Sequence, residues 1–167
     1  MLEVQYRNTA ALRRHQSNSR THATSQVAQI AASIERFGFT VPLVIDDDGT
    51  VLAGHGRLAA AELLKMDTVP CVTLSGLTDE QKRAYLIADN KIAANAGWDE
   101  ELLKLELAEL KDAGFDLGLT GFGEHELAEL FAERAPKAIK GATELNPSDY
   151  DQFDHQCPKC GFEFNDD

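Results

Sequence analysis

The stretch Val51-Leu52-Ala53-Gly54-His55-Gly56-Arg57-Leu58 gathers residue types that suit an anion. An apolar run meets two glycines and then an Ala/Leu-rich helical segment. The first turn of a helix carries unpaired N–H groups and the positive end of the macrodipole. Gly54 and Gly56 lack the Cβ atoms that would hold a phosphate away from the backbone. Arg57 adds a planar donor fork, and His55 can donate to phosphate or act as acid or base near neutral pH. The alternative is a plain strand-to-helix turn with an exposed His and Arg. A second constellation lies at His155-Gln156-Cys157-Pro158-Lys159-Cys160-Gly161, which looks like half of a zinc ribbon. Cys157 and Cys160 are spaced to reach one Zn²⁺, with His155 as a candidate third ligand. A closed zinc site takes four ligands, so a second chain or a partner would have to complete it. A tail that binds nothing and a redox pair are the alternatives, and no thioredoxin-like βαβ surrounds the motif.

The elements that must position these residues follow from periodicity. Leu2–Tyr6 alternates as a half-buried strand does, and Arg13–Ala23 reads as a loop. Val27, Ile30, Ala31, Ile34 and Phe37 share a helical face, with Thr24 as N-cap and Gly38 as the left-handed stop. Val41–Ile45 and Thr50–Ala53 flank Asp46-Asp47-Asp48-Gly49 and predict a hairpin. A helix over Gly56–Leu64 and a strand over Val69–Leu74 follow, Pro70 placing that strand near an edge or at its start. Thr78 and Gln81 form a capping box for a helix to about Asn90. Asp99 caps a leucine-rich helix (Leu102, Leu103, Leu105, Leu107, Leu110) that stops at Gly114, its stripe reading as core. A last helix is expected over Glu124–Ala135. The order is an α/β first half, a helical second half and a tail.

The net charge of −12 and pI near 4.8 argue against broad, non-specific nucleic-acid binding, which depends on basic surface. Residues 1–40 are the exception, with Arg7, Arg13, Arg14, Arg20 and Arg36 against Glu3 and Glu35. If DNA is touched, that arginine-bearing part is the face for it; a solvated end is the alternative. No apolar run approaches the roughly 20 residues of a membrane helix, and no signal-peptide core opens the chain. Three cysteines, two in C-x-x-C, suit a reducing compartment, so a cytoplasmic protein with no membrane partner is expected.

Several boxes in order carry a resemblance. They are Arg20 after Asn18, I-x-x-S-I-E-x-F-G-F-x-x-P-L-V-I at Ile30–Ile45, D-D-G-x-V-L-A-G-H-G-R-L-A-A-A at Asp47–Ala61, and V-P-C-V at Val69–Val72. Over roughly Val4 to Gly97 the chain resembles the ParB N-terminal domain, whose fold is shared with sulfiredoxin. It looks closest to the ParB-like domains found beside phage and prophage DNA methyltransferases. The resemblance implies a mixed α/β, ParB/sulfiredoxin-like nucleotide-binding domain over 1–97. It would be followed by a helical extension over 98–136, a linker over 137–154 and a cysteine-knuckle tail over 155–167. It also implies that Arg20, Gly54, His55, Gly56 and Arg57 bind the phosphates of a nucleotide such as ATP or CTP. Ala88-Asp89-Asn90-Lys91 stands where the family has an acidic–Asn pair, which assigns Asp89 to Mg²⁺ and Asn90 and Lys91 to phosphate. A carboxylate for Mg²⁺ beside phosphate donors is sound chemistry; a frayed helix end is the alternative.

Departures narrow the expectation. ParB proper has Gly-Glu-Arg-Arg where this chain has Gly54-His55-Gly56-Arg57, and a further arginine at Ala59, groups on which its CTP-dependent clamp cycle rests. Sulfiredoxin has a cysteine nucleophile where His55 sits, and Cys71 falls in a predicted strand, so sulfinic-acid repair is not expected. Two functions remain. One is a nucleotide-binding protein of DNA transactions, tied to DNA-modification or phage machinery. Its Mg²⁺-dependent NTPase or nuclease activity would use His55, Arg57 and Asp89. The other is a non-catalytic adaptor with a vestigial phosphate loop and a protein-binding zinc tail. A DNA methyltransferase, another phage protein or a second copy of the chain are the candidate protein partners. The acidic leucine-rich region argues against a helical DNA reader.

Overall fold

The computed structural model describes residues 3–132, 155–156, 158–161 and 163–164. The chain falls into two compact units, Met1–Ala132 and Glu133–Asp167. The first unit is built on a five-stranded mixed sheet. Its strands are β1 (Val4–Asn8), β2 (Arg13–Arg14), β3 (Leu43–Ile45), β4 (Thr50–Ala53) and β5 (Thr68–Thr73), in the spatial order β1-β5-β3-β4-β2. The β1–β5 and β3–β4 pairs are antiparallel, while β3–β5 and β2–β4 are parallel. The predicted hairpin is β3–β4. Asp46 accepts from the N–H groups of Asp48 (3.0 Å) and Thr50 (2.8 Å), and Gly49 takes the positive φ of 78° that the turn requires.

Leu43, Ile45, Val51, Leu58, Ala61, Val69 and Cys71 form the core between the sheet and its helices. Two helices frame the hairpin, α1 (Thr24–Phe37) and α2 (His55–Leu63), and they pack on each other. A third, α3 (Asp79–Ala94), crosses near β4. Its capping box is present: Gln81 N–H donates to Thr78 Oγ1 (3.3 Å) and Thr78 N–H to Gln81 Oε1 (2.9 Å). Asp99 caps α4 (Glu100–Asp112), accepting from Leu102 N–H at 3.1 Å, and α5 (Glu124–Phe131) packs against α4. This helical part docks on α1 through the Phe37–Phe115 ring pair, centroids 6.3 Å apart, and Gln29 Nε2 donating to Gly121 O (3.3 Å). Among the described residues no helix is long and apolar enough to cross a membrane.

Several expectations need correction. Strand β1 is exposed along its whole length rather than half-buried, because it lies at the sheet's edge; Tyr6 is 72% exposed. The loop expected over Arg13–Ala23 contains the short β2, and a 3-10 turn at Thr9–Ala11 precedes it. Thr24 is the first residue of α1 rather than its cap, and Ala23 at the cap position offers no side-chain bond. Pro70 lies in an interior strand, paired with Tyr6 of β1 just before the register with β3 begins at Cys71. Of the α4 leucines, Leu107 is buried but Leu102 and Leu105 are exposed. Helix α5 ends at Phe131, with Ala132 as its cap.

In the second unit, β6 (His155–Gln156) and β7 (Glu163–Phe164) pair antiparallel, His155 opposite Phe164. Between them Pro158, Lys159 and Cys160 turn, and Gly161 has φ 75°. Cys160 is exposed. Cys157, the middle member of the predicted zinc set, lies outside the described residues, as does the expected linker over 137–154.

Candidate functional site

Strand β4 delivers the chain to Gly54, which adopts φ 94° and so turns it directly into α2. A Cβ at Gly54 would come within 2.7 Å of Leu43 Cδ2 and 2.8 Å of Arg57 Nη2. Only glycine fits both the dihedral and the space. At Gly56, inside the first turn, a Cβ would meet His22 Cε1 and Ile30 Cδ1, each at 3.0 Å. The segment before α1 therefore folds over the start of α2. A pocket of about 160 Å³ opens there, lined by Arg20, His22, Gly54–Arg57, Asp89 and Asn90, with Asn18 and Ile30 at its border.

The structure thus brings together all but one of the predicted phosphate and Mg²⁺ residues. Lys91 is exposed on α3 and does not line the pocket. Asp89 and Asn90 sit well inside α3, which continues to Ala94, rather than at a frayed end. Asn90 uses Nδ2 to donate to Leu86 O (2.8 Å), while its Oδ1 and backbone O both accept from Arg20 Nη1 (3.3 Å each). Asn90 therefore acts here as the anchor of Arg20. Asn18 supports the same arginine, accepting from Arg20 N–H (3.3 Å) and donating to Arg20 O (3.1 Å).

The deeper wall is short of partners. Arg57 donates from Nη2 to Pro42 O (3.3 Å), but its Nε is buried without one. Burial pushes the guanidinium pKa down, and the charge of Asp89 and then Tyr85 pull it back up. Burial likewise raises the Tyr85 phenol, helped by Asp89 and opposed by Arg57. His55 is 7% exposed and its Nε2 has no partner. Desolvation, then the nearby His22, Arg14 and His15, lower its pKa to about 4. His55 is therefore a neutral imidazole at pH 7, not the neutral-pH acid or base its residue type suggests. An anion entering the pocket meets one α-helix N-terminus, two arginines and this unsatisfied wall.

His22 was not legible as a site residue, and Asn18 was legible only beside Arg20 in the resemblance, with no role of its own. The signal was indirect: a glycine at 56 implies that something packs on the helix start. Cys71 is 1% exposed in β5 with its thiol pKa raised by burial, which leaves it inert.

Comparison with known proteins decides the family. The sequence model of the ParB N-terminal domain matches residues 2–91. The chain belongs to the ParB N-terminal domain family. A second model, described as the ParB-methyltransferase HTH domain, matches residues 101–159, so likeness to ParB-type families extends well beyond the expected limit near Gly97. The ParB-like nuclease domain-containing protein YnaK of Escherichia coli K12 is 55% identical over 82 residues, 49% of this chain and 94% of YnaK. Among solved structures, the C-terminally truncated chromosome-partitioning protein ParB from Caulobacter crescentus, complexed with CTP-γ-S, superposes with a TM-score of 0.63 at 18% identity. That superposition covers 77% of this chain and 76% of the other, and it shows the ParB fold. Sulfiredoxin from Arabidopsis thaliana gives a TM-score of 0.43 at 24% identity, over 50% of this chain and 97% of its own, too slight a likeness to argue from.

Proposed function

We propose that this ParB-like domain binds the phosphates of a nucleoside triphosphate, with Mg²⁺, in the pocket between Arg20, the start of α2 and Asp89. The observation that carries it is the convergence of an α-helix N-terminus, Arg57 and Arg20 on a pocket whose wall includes a buried, unpartnered imidazole nitrogen. Pockets that enclose a whole ligand run to about 300–1,000 Å³. At about 160 Å³ this one suits phosphates, with sugar and base lying outside. The ParB neighbour of the same fold was captured with CTP-γ-S, which agrees with the reading. Asp89 is exposed at the rim and within electrostatic reach of Arg57. One carboxylate beside phosphate oxygens is a usual Mg²⁺ arrangement, so Asp89 would hold the ion, which neutralises phosphate charge when bound. The setting is DNA transactions tied to modification or phage machinery, in the cytoplasm, with Mg²⁺-dependent triphosphate or DNA hydrolysis as the candidate activities.

A thermal-shift panel of ATP, CTP, GTP and UTP with Mg²⁺ tests this, because a ligand that binds the folded state raises its apparent stability. At least one should raise the Tm, and Arg57→Ala should shrink the rise; no shift with any of the four sinks the reading. If turnover is found, Asp89→Ala should remove its Mg²⁺ dependence. A second reading is an adaptor that docks a protein, such as a DNA methyltransferase. It is favoured by exposed Trp98, Leu102 and Leu105 beside the acidic Glu100, Glu101, Glu106 and Glu109. Binding without turnover would support it.

A further inference from the structure

We propose that His22 is a phosphate ligand of this pocket that engages the anion through Nε2 in its imidazolium form, so that binding takes up a proton and tightens as pH falls. The inference rests on the phosphate reading above and adds the residue and the pH response to it.

The geometry starts at Gly56. The His22 ring lies where a Cβ of residue 56 would be, with Cε1 3.0 Å and Nδ1 3.1 Å from that point. It therefore rests on the first turn of α2, among the N–H groups that welcome an anion. The Cε1–Nδ1 edge faces the turn, and Nε2, bonded to the other side of Cε1, is the second ring nitrogen. Nδ1 is engaged by Gln26 Oε1 at 3.0 Å, in the first turn of α1. An amide oxygen can only accept, so Nδ1 carries the hydrogen and the neutral ring presents a lone pair at Nε2. A lone pair repels a phosphate oxygen. Adding one proton at Nε2 turns the same atom into a charged donor without moving the ring or breaking the Gln26 bond.

The surroundings decide which imidazole takes that proton. The charged and titratable groups that line the pocket are Arg20 on the same segment, His55 and Arg57 on α2, and Asp89 on α3, and Arg14 and His15 act with His22 on His55. His55 is kept neutral by burial and by the cationic groups near it. His22 is only half-buried and is reached by solvent. Arg20 and Arg57 oppose a third cation in the empty pocket, and an incoming polyanion reverses that opposition. Proton and phosphate therefore favour each other, each raising the affinity for the other by the same factor.

Calorimetric titration of the full chain with Mg²⁺-CTP and Mg²⁺-ATP tests this, run at pH 6, 7 and 8 in buffers of differing ionisation heat. The expected result is proton uptake on binding, and an affinity that falls by roughly tenfold from pH 6 to 8, the size of one charge-assisted hydrogen bond. His22→Ala should lose most of that uptake and slope, while the nucleotide's own protons contribute equally to both proteins. Gln26→Glu supplies a second test that keeps the ring, because a carboxylate at Nδ1 stabilises the imidazolium and should carry tight binding to higher pH. Binding whose proton uptake and pH slope are the same in wild type, His22→Ala and Gln26→Glu overturns the assignment of His22 while leaving the phosphate reading intact. No binding of either nucleotide at any pH overturns both.

Discussion

Arg57 reaches the pocket with part of its guanidinium already committed, since Nη2 donates to Pro42 O and both Nη2 and Nε lie against Gly54. That bond orients the fork before any ligand arrives, and the unpartnered Nε marks where the fold has left a donor in reserve. Arg57→Ala should weaken triphosphate binding by about 1.5–3 kcal/mol, the usual worth of a hydrogen bond to a charged group. Calorimetry on the folded variant checks it, and unchanged affinity would remove Arg57 from the site. His55 makes a different prediction, about stability. The unfolded chain protonates this ring near its ordinary 6.5 and the folded protein near 4. Between those values the unfolded state binds more protons, so stability is full above pH 6.5 and is lost as pH falls toward 4. The stability of wild type relative to His55→Leu should drop by up to about 1.4 kcal/mol per pH unit across that window. Urea unfolding of both proteins at pH 7, 6 and 5 measures it, and parallel curves would show that His55 is not the group responsible.

Between elements, the connection that fixes the hairpin to α3 is the ion pair of Asp46 and Lys82, 2.9 Å apart with Asp46 nearly inaccessible. Burial alone would raise the Asp46 pKa. The Lys82 bond, the Thr50 and Asp48 N–H groups and the Lys82 charge outweigh it, and the net shift is downward. Asp46 therefore contributes stability above its ordinary range near 3.9, lost as pH falls through the lower folded value. Asp46→Ala removes both the turn acceptor and the partner of Lys82 and should destabilise the fold; Asp46→Asn, which keeps a turn acceptor, should cost less. Equal costs in denaturant would assign the effect to the ion pair alone. Such local features account for what could be read from sequence. The capping box at Thr78 and Gln81, the Asp-rich turn and the Gly54 stop each encode their geometry within a few residues. Strand β2 could not be read, because two residues show no period and are defined by partners at Thr50 and Val51. Exposure of Leu102 and Leu105 was hidden for the converse reason: a leucine stripe states what a helix can bury, and neighbours decide what it does bury. The glycine loop was legible, whereas Asn18 and His22 join the site through the fold of a segment some thirty residues away.

The whole molecule separates its charges by function. Of the N-terminal arginines, Arg20 serves the pocket, Arg14 pairs with Glu62, and Arg13 donates to Asp48 O at 2.8 Å. The arginines without such a role are accordingly fewer than the sequence suggests, among them Arg7 on β1 and Arg36 in the last turn of α1. The helical part that matches the ParB-methyltransferase HTH description carries Glu100, Glu101, Glu106, Glu109 and Asp112 on α4 against Lys104 and Lys111, a charge that repels phosphate. The tail offers a test at this scale. Two C-x-x-C units from two chains would supply four sulfurs, giving about half a zinc per chain and a dimer that a chelator dissociates. Elemental analysis with solution mass before and after chelation checks this; protein purified under reducing conditions without chelator, and free of zinc, would leave the knuckle an ordinary tail. One consequence of the Gly54 turn reaches across all three scales. Leu43, a fully buried core residue, and Arg57, a ligand-facing one, lie on either side of a space smaller than a methyl group. At Gly54 the hydrophobic interior and the anion pocket meet. Repacking the interior at position 43 to gain heat resistance would therefore retune affinity as well, and selection acting on either property would constrain the other.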